Sequence, residues 1–211
     1  MEWNFIEEGI NAVIIDNFYS ENQLKDIFNQ LETLTTEEYM TADKDKLEAA
    51  VDLQGNFITT KFGVWLDDGN CPLLNHCYTN FSSNQLQEKF ISYNPLYRIL
   101  FHLNRRFNLL SYYENAGYYS KHTDVAVFTI LNYFHKEPKQ FTGGEMVLHS
   151  HDFSKKAVVE PRNNRVVVIP SHTVHEVLPI QMTSKILSGN GRYCMSIFVT
   201  SEDVKELRTP K

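Results

Sequence analysis

His122-x-Asp124 sets an imidazole and a carboxylate two residues apart, at the end of the stretch Tyr112–Asp124, YYENAGYYSKHTD. If that stretch is extended, the period of two turns both side chains to one face. One nitrogen donor beside one hard oxygen donor is two thirds of a 2-His-1-carboxylate set, which grips Fe(II) on one side and leaves positions open. The third ligand has to come from a distant part of the chain. Asn164–Ile180, NRVVVIPSHTVHEVLPI, offers two candidates, His172 and His175. His149 and His151, in VLHSH, have a ligand spacing of their own but no carboxylate at a matching offset, and they read as loop histidines.

Such a site needs strands that bring distant residues together, and the second half of the chain has them. From about residue 109, strand-like runs follow at 109–113, 125–134, 144–149, 156–160, 165–169 and 192–200. Turn residues separate them, among them Gly143-Gly144, Pro161–Asn164 and Ser188–Gly191. This succession predicts a mainly β fold, an antiparallel double-sheet or jelly-roll barrel with the preceding helices packed on its outside. The mouth of a small barrel lets side chains from different strands converge on one ion. Within 192–200, Arg192, Cys194, Ser196 and Phe198 share one face, and Tyr193, Met195, Ile197 and Val199 share the other. The first set suits a cavity and the second a packed core.

The first half is the support. Residues 10–15 read as a strand, and Ser20 with Gln23 caps an amphipathic helix over 21–34. The mixed-charge segment 36–52 is helix or loop, Phe57–Leu66 a strand, and 83–92 and 95–107 two helices parted at Pro95. Cys71 and Cys77 fall in a segment that reads as loop-rich. The expected organisation is one domain over 1–211, with 1–108 supporting a jelly-roll core at 109–200.

Composition narrows the function. With 211 residues, 42% of them hydrophobic and 22% charged, the chain has the make-up of a globular protein with a sizeable core. The net charge of −6 offers no basic field for nucleic acid or an anionic membrane. No apolar run approaches the ~20 residues that span a bilayer. The three cysteines, odd in number and without C-x-x-C spacing, point to a reducing compartment, with cytoplasm the expectation.

Taken together these residues resemble the Fe(II)/2-oxoglutarate dioxygenase superfamily, in its prolyl-4-hydroxylase-like branch. Tyr113 and Gly117 precede His122-x-Asp124 in the manner of that family's Y-x-x-x-G-x-x-x-x-H-x-D pattern. Gly143-Gly144-Glu145 is similar to its G-G-E-L turn, with Met146 in the leucine place. His175-Glu176-Val177-x-Pro179 is similar to the distal-histidine motif and selects His175 over His172. Gly191-Arg192-Tyr193 resembles the strand whose basic residue holds the co-substrate. The resemblance implies a double-stranded β-helix and a metal set of His122, Asp124 and His175. It implies Fe(II), 2-oxoglutarate and O2 as cofactor and co-substrates, with succinate and CO2 released as a C–H bond is hydroxylated. Arg192 would hold the distal carboxylate of 2-oxoglutarate through its planar fork, with Tyr133 and Tyr113 as hydrogen-bonding candidates. The substrate would be a peptidyl proline, a free amino acid or another small molecule.

Two departures qualify the match. Collagen-type prolyl hydroxylases place a lysine ten residues after the distal histidine, where this chain has Lys185; Arg192 stands seventeen residues on and implies an extra loop at 182–190. The nucleic-acid demethylases of the superfamily carry a second arginine six residues after the first, where this chain has Phe198. That departure and the acidic charge lead to an expectation of no nucleic-acid partner. A non-catalytic cupin-type barrel binding a metal or small ligand is the competing reading.

Overall fold

The computed structural model describes residues 1–7, 9–42, 50–52, 54–67 and 71–201; residues 43–49 of the mixed-charge segment lie outside them. β1 (Glu2–Ile6) and β2 (Ala12–Asp16) form an antiparallel hairpin. Ser20 then starts α1 (Glu21–Leu34): its hydroxyl accepts the Gln23 amide while the Gln23 side chain accepts the Ser20 amide. That reciprocal cap fixes the helix start at the residue the sequence indicates. β3 (Thr41–Ala42), β4 (Thr59–Thr60) and β5 (Phe62–Leu66) come next, followed by α2 (Pro72–Phe81), α3 (Asn84–Tyr93) and a 3-10 helix at Pro95–His102. The remainder is strand: β6 (Arg105–Tyr113), β7 (Tyr118–His122), β8 (Phe128–Phe134), β9 (Thr142–Gly143), β10 (Met146–His149), β11 (Lys156–Val159), β12 (Arg165–Pro170), β13 (His175–Val177), β14 (Ile180–Gln181) and β15 (Arg192–Thr200).

Two antiparallel sheets form the barrel. The larger runs β1-β2-β12-β8-β15-β6-β5-β3 and the smaller β11-β10-β13-β7-β4, with β9 and β14 as a separate ribbon. Strand alternation divides the apolar residues between two cores. Val13, Ile15, Phe128, Ile130, Phe134, Val166, Val168, Tyr193, Met195, Ile197 and Val199 pack on α1, α2, α3 and the 3-10 helix. Their neighbours Ile14, Leu131, Tyr133, Val167, Ile169 and Cys194 point between the sheets. A one-residue slip of β15 would push Arg192 into the helix-side core and Met195 into the cavity, so the register is tightly specified. Among the described residues no helix is long and apolar enough to cross a membrane.

Several sequence expectations need correction. Residues 95–107 are not one helix: the 3-10 turn ends at His102, and Arg105 already pairs with Thr200 of β15. The apolar spacing there fits both periods, and ladders to β15 and β5 decide it for strand. The segment holding Cys71 and Cys77 is α2, not loop. Pro72 occupies its first turn, and Leu73, Leu74, Cys77 and Phe81 form its buried face. The strand expected over Phe57–Leu66 breaks at Lys61, so that β4 pairs with β7 in the smaller sheet while β5 pairs with β6 in the larger. The strand expected from residue 125 starts at Phe128. His149 ends β10, not a loop, and its Nε2 lies 3.0 Å from Glu176 Oε1. His151 is exposed in the following turn.

Candidate metal and co-substrate site

His122 ends β7, His175 opens β13, and the two are direct partners in the antiparallel ladder. Their ring centres are 4.2 Å apart. Asp124 lies just past β7, where its amide donates to the Ser171 carbonyl at 2.9 Å and turns the carboxylate back over the two rings. Asp124 Oδ1 is 3.6 Å from His122 Nε2, and Oδ2 is 3.6 Å from His175 Nε2. One ligand atom from each residue lies within 4.8 Å of the other two. His172, the competing candidate, is exposed.

The protonation pattern fits a metal. His122 Nδ1 is 2.8 Å from the Ser120 carbonyl and His175 Nδ1 is 2.9 Å from the Thr173 carbonyl. A carbonyl can only accept, so both Nδ1 atoms carry a proton and both Nε2 atoms point at Asp124. Burial, reinforced by the neighbouring His175, pulls the His122 pKa down to about 3, so its ring is the neutral, ligating form. The 3.6 Å approach to Asp124 is therefore shared aim at one point and not an ion pair. The Tyr119 ring stacks on His122 at 3.5 Å and 10° and fixes its plane. The Thr129 hydroxyl donates to Asp124 Oδ2 at 2.7 Å and lies 2.8 Å from the Ser171 hydroxyl.

The same cavity contains Arg192, Tyr113 and Tyr133. Arg192 is 1% exposed, and its Nε and Nη1 have no hydrogen-bond partner among the described residues. Its guanidinium lies 4.5 Å from the Tyr133 ring centre and 4.9 Å from that of Tyr113. A buried cation with open donors is costly unless an anion completes it, so the donor set fits a carboxylate ligand. Gly144 allows the β9–β14 ribbon to lie against the arginine stem. It has φ +76°, and a Cβ there would come 2.9 Å from Ile180 Cγ1 and 3.2 Å from Arg192 Cδ. Lys185 is exposed and does not line the cavity.

Three participants escaped the sequence reading. Thr129 and Ser171 orient Asp124, and only the inward parity of Thr129 on β8 hinted at it. Lys61 stands where the chain crosses from one sheet to the other, with Nζ 4.7 Å from the Tyr119 ring centre. It lines both the triad cavity and a neighbouring groove; nothing in its local sequence marks the crossing.

Comparison with known proteins agrees with this geometry. A sequence model of the 2OG-Fe(II) oxygenase superfamily matches residues 107–200. A Chlamydomonas reinhardtii protein called 5-methylcytosine-modifying enzyme 1 is 33% identical over 131 residues, 57% of this chain; the match spans 23% of that protein's length. In structure, a Pseudomonas putida prolyl-4-hydroxylase superposes with TM-score 0.64 at 17% identity, covering 92% of this chain and 94% of its own. A Trichoplax adhaerens prolyl hydroxylase, solved with a peptide fragment of the hypoxia inducible factor oxygen degradation domain, gives TM-score 0.66 at 17% identity, covering 94% of this chain and 87% of its own. The segment 107–200, which carries the triad and Arg192, is thus similar to the 2OG-Fe(II) oxygenase superfamily, and the chain has the fold of the prolyl hydroxylases it superposes on.

Proposed function

We propose that the chain is an Fe(II)- and 2-oxoglutarate-dependent hydroxylase working as one unit, with residues 1–108 supporting the barrel. His122, Asp124 and His175 would hold the metal. Arg192, with Tyr133 and Tyr113, would hold the distal carboxylate of 2-oxoglutarate. The observation that carries the reading is Arg192, a buried cation with two open donors in the cavity that also holds the triad. A barrel that only binds metal has no use for it; a cupin-type barrel that binds a metal or a small ligand without turnover is the second reading, and succinate formation separates the two.

When bound, Fe(II) with 2-oxoglutarate and O2 supplies the oxidising power that places one oxygen atom in a substrate C–H bond and one in succinate, with loss of CO2. The residues of the chain do the holding. The two Nδ1–H groups anchor the rings to backbone carbonyls, leaving Nε2 free to ligate. Thr129 keeps Asp124 Oδ2 turned toward the histidines. Leu131, Met146 and Val177 line the cavity with apolar surface and limit water.

A peptidyl proline or a free amino acid is the proposed substrate, and the peptide held by the Trichoplax neighbour supports the former. The name of the Chlamydomonas relative makes 5-methylcytosine a further class to test, although a net charge of −6 weighs against a polyanion. The test is to supply Fe(II), 2-oxoglutarate and O2 with proline peptides, free amino acids and methylated oligonucleotides in turn. Succinate and a product heavier by one oxygen atom are then measured. The expected result is succinate dependent on both Fe(II) and 2-oxoglutarate, raised by one substrate class. Metal binding without any such succinate would favour the binding barrel.

A further inference from the structure

Met146 opens β10 at 1% exposure and lines the triad cavity. In the β10–β13 ladder Leu148 faces His175 and Met146 faces Val177. Met146 is thus the diagonal neighbour of His175 on the same inward face, about 7–8 Å away between backbones. The Tyr133 hydroxyl donates to its Sδ at 3.3 Å. The resembled G-G-E-L pattern has an inert leucine here, so this chain puts an oxidisable thioether inside the reaction chamber. The other four methionines, Met1, Met40, Met182 and Met195, do not line it.

Resting on the hydroxylase reading, we infer that Met146 is an internal oxygen acceptor, its thioether oxidised to the sulfoxide when 2-oxoglutarate and O2 are consumed with no substrate in place. The balance closes. One atom of O2 forms the S=O bond and the other enters succinate, while the C1–C2 bond of 2-oxoglutarate breaks and releases CO2. Sulfur and the keto acid each lose two electrons, and O2 gains four. No proton is left over.

The product would limit further turnover. A sulfoxide oxygen is a stronger acceptor than a thioether, so the Tyr133 hydroxyl, which already donates to Met146, would be held there and lost to the co-substrate carboxylate. The extra atom also occupies a cavity of only ≈ 70 Å³. Cys194 lines the same cavity, but burial raises its pKa and keeps it a neutral thiol, the slow form for oxidation.

The test incubates the Fe(II)-loaded chain with 2-oxoglutarate under isotopically heavy O2, with catalase and without substrate, and maps the label by peptide mass spectrometry. The expected label at Met146 exceeds that at exposed Met1 on the order of tenfold or more, as an intramolecular acceptor should. It rises with succinate and is absent without 2-oxoglutarate. Met146→Leu, a volume-conserving change, should fold normally and prolong succinate formation. Succinate without label at Met146, label at Met1 first, or label at Cys194 instead overturns the inference and leaves the hydroxylase reading standing. Absence of succinate altogether overturns both.

Discussion

Replacing Arg192 by methionine keeps a long unbranched side chain and removes only the charge. Two opposing terms decide what happens to the empty protein. The buried guanidinium carries an effective desolvation penalty of several kcal/mol. The faces of Tyr133 and Tyr113, at 4.5 and 4.9 Å, return about 2 kcal/mol each in a dry site. The sum is near zero, so Arg192→Met should melt within a few degrees of the parent. Co-substrate binding is different, because the buried charge pair proposed with 2-oxoglutarate would be worth about 2–5 kcal/mol, or roughly 30- to 4000-fold in affinity.

The assay is thermal unfolding with a redox-inert divalent metal, with and without 2-oxoglutarate at a hundred times the parent's dissociation constant. That concentration stabilises the parent by about 2.7 kcal/mol, or roughly 5–11 °C at about 2–4 °C per kcal/mol for a chain of this size. A 30-fold loss leaves under about 0.9 kcal/mol and larger losses leave nothing measurable. Lys185→Ala should keep the full shift, since Lys185 lies outside the cavity. A normal shift in Arg192→Met would remove Arg192 as the anchor. Collapse of the ligand-free melting temperature would instead make it a residue of the fold.

Alanine at His122, Asp124 or His175 should abolish stoichiometric divalent-metal binding, whereas alanine at His149, His151 or His172 should preserve it, as read by metal analysis after gel filtration. Thr129→Val removes the 2.7 Å bond to Asp124 while keeping the shape of the side chain; metal affinity should fall about 10–100-fold, measured by competition with a chelator, with the fold intact. Cys71, Cys77 and Cys194 are all buried and free. Burial pushes Cys77 up to about 12. None should react with iodoacetamide in the folded protein and all three should after denaturation, which intact mass resolves; a native disulfide would contradict this.

What could be read from the sequence was whatever a local period or a short motif encodes. The cap at Ser20 and the alternation through Arg192–Thr200 are of that kind, because both are set by neighbours within a few residues. The three side chains that converge were legible, and the choice of His175 over His172 came from the resemblance. The hidden parts depend on distant partners. Arg105–Asn108 is strand because β15 and β5 lie on either side, and the break at Lys61 exists because β4 and β5 find partners in different sheets. The Asp124–Thr129–Ser171 cluster joins two loops through a buried strand, and no spacing announces it. The overlooked α2 is a different case. Its Pro72 and its buried positions at helical spacing were available, but the short segment lies between turn residues.

The support region matters because of what the barrel strands carry on their outer faces. The segment 107–200, taken alone, would expose Phe128, Ile130, Phe134, Val166, Val168, Tyr193, Met195, Ile197 and Val199, all buried against the helices. At roughly 1.5–3 kcal/mol per buried large side chain, those nine represent on the order of 14–27 kcal/mol, an upper estimate because the unfolded chain already buries part of them. Even a fraction of that matches the whole stability of a typical domain, about 5–15 kcal/mol. The inner faces pack an apolar core of their own, but they also hold the open donors of Arg192, the three candidate ligands and the small residues Ser111, Cys194 and Ser196. The site therefore draws its rigidity from the other side of the same strands. α1, α2 and α3 hold β8, β12 and β15 in register, and that register sets Arg192 and Tyr133 beside the triad.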